Sequence, residues 1–339
     1  MDLQQRSLRI GAMAVAGAIL LRLLGGGLLS SAAQFFTSPQ AAAILLYLET
    51  GRLVRFPDNT AGKAPTETIP EQTQQSQKPG VMEPEPVLPG VVFTPSDAEL
   101  VKVDSLCGYT VNTQQLLLQP LVWELAGQGP TVLILHTHGT ESFENTEGYE
   151  ESSDYRTLDT QYNMISVGDR LAELLEAQGI SVIHDRKLHD NPSYSGSYQN
   201  ARSQIEKYLE QYPTIRLVLD LHRDAVTDSS GEQMCFTVSS AGQKAAQLML
   251  VMGSDAGGLV HPDWQDNMAL AVKLQAQLEK ICTGICRPIS FRSQRFNQDL
   301  SSGALLIEVG AAGNTRQEAL LSVEILTKAI VALSHGTAS

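Results

Sequence analysis

The sequence predicts an α/β domain whose mostly parallel sheet is covered by helices on both faces, preceded by an N-terminal transmembrane helix. Three observations support this. Short, continuous apolar runs of strand length alternate with stretches of helical spacing, the pattern of strands buried on both sides. A Pro- and Gln-rich stretch separates that region from the N-terminus. The N-terminus itself, Ile10 to Leu29, is an apolar run close to the ~20 residues that a helix needs to cross a bilayer.

The elements follow in order. Arg6 and Arg9 precede the apolar run, so the positive-inside bias leaves residues 1–9 as a cytoplasmic stub and sends the chain outward after an anchor over 10–30. Arg22 interrupts the run, where a charge is costly unless it snorkels or pairs. The small residues Ser30-Ser31-Ala32-Ala33 leave a cleaved signal peptide as the rival reading. Residues 31–94 hold a second short apolar stretch (41–48), suited to the membrane surface, and a linker rich in Pro, Gln, Glu and Thr that buries too little to fold. The folded domain is expected over 95–339. Its predicted strands are Thr131–Leu135, Ile180–Ile183, Ile215–Leu221, Leu248–Met252 and Ala304–Val309. Its predicted helices are Gln161–Gln178, Tyr198–Tyr212, Trp264–Ile281 and Thr315–Leu333.

Composition narrows the function. The 339 residues carry a formal charge of −13 with no basic cluster, which argues against a nucleic-acid partner. Cys107, Cys235, Cys282 and Cys286 form no CxxC pair. Cys282 and Cys286, one helical turn apart, suit packing, and all four are read as structural.

In a parallel sheet the active site lies beyond the carboxyl ends of the strands. After Leu135 comes His136-Thr137-His138-Gly139-Thr140-Glu141, after Leu219 comes Asp220-Leu221-His222-Arg223-Asp224, and after Ile307 comes Glu308. Two imidazoles, a carboxylate ligand and a free carboxylate are what zinc-dependent amide hydrolysis uses. His138 has a better claim than His136, which falls where the strand ends and can point into the sheet. His222 is the natural second ligand, with Asp220 and Asp224 spaced to orient its ring. The third ligand is Glu141, in a His-x-x-Glu spacing, or alternatively Asp159, whose bland role is a helix N-cap. Glu308, at the end of an apolar strand, suits a general base, and its bland role is an ion pair with Arg223 or Arg295. His184, His189, His261 and His335 lack comparable carboxylate company.

These segments, in this order, resemble the stage II sporulation protein P family: VLILHTHGTESF (132–143), NMISVGDRLAELLEAQGISVIHD (163–185), SYSGSYQNAR (193–202), LDLHRDA (219–225), FNQDLSSGALLIEVG (296–310) and NTRQEA (314–319). The resemblance implies an amidase-like, zinc-carboxypeptidase-like fold and a Zn2+ enzyme related to the N-acetylmuramoyl-L-alanine amidases. It further implies peptidoglycan as substrate, cell-wall degradation in engulfment during sporulation, and stage II sporulation proteins D and M as partners. Carried over, the metal histidines are His138 and His222 and the catalytic carboxylate is Glu308. The related amidases take their carboxylate ligand from the start of the following helix, which favours Asp159 over Glu141. A wall endopeptidase or carboxypeptidase uses the same groups, and a non-catalytic wall-binding scaffold is the alternative from another class.

Overall fold

The computed structural model describes residues 90–144, 149 and 154–338, all within one compact unit spanning Glu83–Ser339. The expected anchor and most of the linker lie outside the described residues. Among those described, no helix is long and apolar enough to cross a membrane.

Eleven strands and five α-helices are described, in the order β1 (Val91–Val92), β2 (Val103–Ser105), α1 (Thr113–Leu118), β3 (Val132–Leu135), α2 (Met164–Glu176), β4 (Val182–His184), α3 (Ser197–Gln211), β5 (Leu217–Asp224), β6 (Thr237–Ser240), β7 (Gln243–Ala246), β8 (Leu248–Met252), α4 (Trp264–Ile281), β9 (Ile289–Phe291), β10 (Ala304–Ala311), α5 (Arg316–Ala332) and β11 (Thr337–Ala338). Seven strands form the central sheet, in the order β2-β9-β8-β10-β5-β3-β4. The strands β4, β3, β5 and β10 are mutually parallel. β8, β9 and β2 are parallel to one another but run antiparallel to β10. No helix lies between β5 and β8, only the β6–β7 hairpin, so nothing carries the chain back across the sheet before β8 begins. Apolar strands read the same in either direction, which is why the sequence left this reversal unseen.

Register defines two faces. Leu133, Val218 and Ala304 lie side by side and pack under Ala201 and Ile205 of α3. On the other face Ile134, Leu219 and Ile307 join the main core with Leu171 of α2, Leu274 of α4 and Leu326 of α5. Local signals fix the helix ends: the Asn163 side chain accepts from the Ile165 N–H at the start of α2, and Thr315 and Glu318 form a reciprocal capping box on α5. α4 matches its expected bounds and stops at Ile281. Cys282 is therefore its cap, not a helical partner of Cys286, which bridges to Leu248. All four cysteines are free; Cys107, Cys282 and Cys286 pack against the core, while Cys235 is exposed and serves no such role.

Candidate active site

The carboxyl ends of β3, β5 and β10 meet at one edge of the sheet. There Asp220 and His222 of β5 and Glu308 of β10 share a face, because Glu308 pairs with His222 in register and alternate residues of a strand point the same way. Thr137 clamps the end of β3 to β5, donating from its N–H (2.8 Å) and its hydroxyl (2.6 Å) to the Asp220 carboxylate. The next residues turn inward, and Glu141 is anchored where its carbonyl accepts from the Met164 N–H (2.9 Å) at the start of α2.

His136 and His138 part company. His136 lies on the far face: its Nδ1 is 3.0 Å from the Leu221 carbonyl and its Nε2 is 2.9 Å from His184 Nε2. Both rings sit on Gly168 of α2, where a Cβ would come within 2.5 Å of His136. His136 therefore braces β5 at Leu221 from the far face, with both ring nitrogens engaged away from His138, Glu141 and His222. His138 is on the site face, its ring perpendicular to that of His222 with centroids 5.2 Å apart. Its Nδ1 is buried with no hydrogen-bond partner, and burial first, then the neighbouring His222, lowers its pKa to about 4.

Glu141 and His222 are neighbours, with Oε2 and Nδ1 3.5 Å apart. On its other side His222 Nε2 lies 2.9 Å from Asp220 Oδ1, a charge contact without the angle of a hydrogen bond. Burial opposes the imidazolium, but the Asp220 and Glu141 carboxylates outweigh it and hold the His222 pKa well above its usual value. Burial likewise opposes ionisation of Glu141, yet Arg223 and His222 pull its pKa down to about 2. Arg223 gives Glu141 Oε2 its backbone N–H (3.3 Å) and uses its guanidinium on the Ser142 and Tyr155 carbonyls. Arg156 donates to Glu141 Oε1 (3.2 Å) and to the buried Asp190 (2.8 Å).

Glu308 is placed differently. Its residue surface is partly open to the cleft, but Oε2 is buried with no partner. Burial dominates, the carboxylates of Glu141 and Asp224 add to it, and the pKa rises to about 8. Neither expected ion pair forms: Arg223 serves Glu141 and the loop carbonyls, and Arg295 bonds Asp299 (3.0 Å) and the Val260 carbonyl.

Two further expectations are corrected. Asp159 is exposed and accepts from the Gln161 N–H (2.9 Å) in a local turn, so it is neither in the site nor the cap of α2. Asp224 pairs with Arg287 (2.7 Å) instead of orienting His222, because the β5–β10 register shifts between Glu308 and Ala311. His184, His189 and His335 bind Asp169, Asp185 and Glu124, while His261 is buried without a hydrogen-bond partner.

Sequence reasoning missed two tyrosines. Tyr194 stacks on His138 at 4.3 Å with Arg156 over its ring, and Tyr198 meets the edge of His138 at 5.5 Å. Both belong to the SYSGSYQNAR stretch, Tyr194 in the turn before the left-handed Gly196 cap and Tyr198 in the first turn of α3; two aromatics four apart carry no signal that separates a site from core. Among the described residues, no three His, Cys, Asp or Glu side chains form a group that could hold a metal ion as they stand.

The model of the family Stage II sporulation protein P (SpoIIP) matches residues 56–331. The chain belongs to that family. Stage II sporulation protein P of Bacillus subtilis (strain 168) is 26% identical over 206 residues, 58% of this chain and 49% of that protein, so the chain matches about half the length of this relative. Among solved structures, N-acetylmuramoyl-L-alanine amidase AmiC2 of Nostoc punctiforme is 14% identical, covering 60% of this chain and 97% of that one, with a TM-score of 0.38. The N-acetylmuramyl-L-alanine amidase Ami1 of Mycobacterium smegmatis gives 13%, 62%, 95% and 0.37. Scores of this size carry nothing about chemistry.

Proposed function

We propose that this chain is a zinc-dependent peptidoglycan hydrolase, held by its N-terminal segment at the outer side of the cytoplasmic membrane. Its reaction is cleavage of the amide between N-acetylmuramic acid and the L-alanine of the stem peptide during engulfment, in company with stage II sporulation proteins D and M. The observation that carries this reading is the pairing of opposites: a carboxylate held ionised beside two buried histidines, and a second carboxyl held neutral and unpaired on the next strand.

His138, His222 and Glu141 are the residues that would hold the metal. The donor set fits: His138 Nδ1 is buried and unsatisfied, and the 3.5 Å between His222 Nδ1 and Glu141 Oε2 is near the ~3.3 Å separating two ligands of a tetrahedral ion bound at ~2.0 Å. Zinc supplies a Lewis acid that acidifies water and polarises a carbonyl. Asp220, against His222 Nε2, fixes that ring so that Nδ1 faces Glu141. Arg156 and Arg223 keep Glu141 anionic. Glu308 carries the proton, accepting it from the attacking water and delivering it to the leaving nitrogen; a carboxyl whose pKa lies near neutrality can do both. A nearby cation would draw that pKa downward and favour the accepting form.

Purified wall digested with the protein and mass-analysed tests this directly. Free stem peptides released only in the presence of zinc are the expected product. Cleaved cross-links with glycan-attached stems would make it an endopeptidase, and intact wall in the presence of zinc would contradict hydrolysis.

A further inference from the structure

The fold accounts for nearly all of the Asn314–Ala319 stretch. Asn314 is buried, accepting at Oδ1 from the N–H groups of Ala311 (2.9 Å) and Phe236 (3.2 Å) and donating to the Phe236 carbonyl (3.1 Å). Thr315 and Glu318 cap α5, Ala319 is core and Gln317 faces solvent. Arg316 is left over. Its Nε donates to Ser166 Oγ (2.9 Å), and among the described residues no carboxylate pairs with it. Burial lowers its pKa, the mark of a guanidinium partly withdrawn from water without a counter-charge.

Arg316 lines a cavity of about 570 Å³ with Tyr162, Ser166, Asp169, Arg170 and Arg186. The other two arginines are already matched: Arg170 bonds Glu173 and Glu324, each at 2.9 Å, and Arg186 bonds Asp169. The cavity lies on the sheet face opposite Asp220, His222 and Glu308 and is linked to the site by the loop that enters α2. Glu141 is tied to Met164 and Ser142 bridges to Asn163, and Ser166 follows within the first turn of α2.

We propose that Arg316, oriented by Ser166, forms a subsite for a free carboxylate on the peptide portion of the substrate. This rests on the hydrolase reading above. With Nε committed to Ser166, the two terminal nitrogens remain as a planar fork that matches a carboxylate. Ser166 and Arg316 stand at the starts of α2 and α5, where the loop after Glu141 enters α2, so a peptide reaching this subsite passes round the carboxyl edge of the sheet from the scissile amide.

Binding of small probes to the full-length, metal-stripped protein tests the subsite without turnover. The probes are the dipeptide alanyl-glutamate, its diamide and inorganic phosphate. The parent should bind the dipeptide about tenfold tighter than the diamide, the worth of one charge-assisted forked pair. Arg316→Gln should erase that preference, and Arg316→Lys should keep part of it, since a point charge does not fork. Ser166→Ala, which leaves every charge in place, should weaken dipeptide binding several-fold and stands in if Arg316→Gln does not fold. Equal binding of dipeptide and diamide by the parent, or equal dipeptide binding by parent and Arg316→Gln, would overturn the proposal. Phosphate binding tighter than the dipeptide would also overturn it, assigning the cavity to a phosphate-bearing polymer. Failure here leaves wall cleavage by the zinc-loaded protein untouched, so the subsite and the hydrolase reading fall separately.

Discussion

The β3 edge and the β10 edge of the site each carry a glutamate with carboxylate oxygen withdrawn from water, and the two are treated in opposite ways. Glu141 is crowded by cations: Arg156, Arg223 and a raised-pKa His222 surround it, and it is ionised down to about pH 2. Glu308 lies one strand beyond His222, has a buried oxygen with no donor, and stays protonated to about pH 8. Burial opposes ionisation of both. At Glu141 the cations Arg223 and His222 outweigh it, whereas at Glu308 the carboxylates of Glu141 and Asp224 add to burial and the pull of His222 and Arg223 is too weak to offset it. An anion fixed by its neighbours is what a cation site needs, and a carboxyl free to change protonation is what proton transfer needs.

The largest effect expected from this contrast is on turnover. Glu308→Gln preserves size and removes the proton acceptor, so wall hydrolysis should fall by roughly 10²–10⁴-fold. A variant that hydrolyses wall at the parent's rate would remove Glu308 from the chemistry.

Next in size is the support of His222. Asp220→Asn replaces the carboxylate beside Nε2 and should cost roughly 10–100-fold in zinc affinity, as loss of outer partners generally does. Unchanged affinity would mean that the ring is held by packing alone.

A third effect is on stability and has a definite sign. The folded pKa of Glu308 lies above its ordinary value, so between about pH 4.5 and 8 the folded state retains a proton that the unfolded chain has released. Its contribution is present in full below pH 4.5 and is lost as the pH rises to 8. In the metal-free protein, Glu308→Gln should therefore gain on the parent in Tm across that window. A Tm difference that does not vary with pH would place Glu308 in an ordinary solvated setting.

Much of this was legible beforehand because apolar runs and strand-end polar residues report directly on buried strands. β8 and α4 match their expected bounds, and His138, Glu141, His222 and Glu308 gather at one edge. What stayed hidden depends on distant partners. Arg287 claims Asp224, and His184, arriving on β4, claims His136. The reversal at β8 follows from the lack of a crossover helix, which no single strand announces. Tyr194 and Tyr198 read as ordinary aromatics until the turn before α3 and the first turn of α3 lay them against His138.

The zinc content of Glu141→Gln and Glu308→Gln, measured side by side with the exposed Asp159→Ala as control, tests the division of labour most directly. The parent, Glu308→Gln and Asp159→Ala should each retain about one zinc per chain, and Glu141→Gln should lose most of it, since two ligands of three leave an incomplete site. Full zinc in Glu141→Gln, or loss of zinc from Glu308→Gln, would contradict the assignment of the two glutamates.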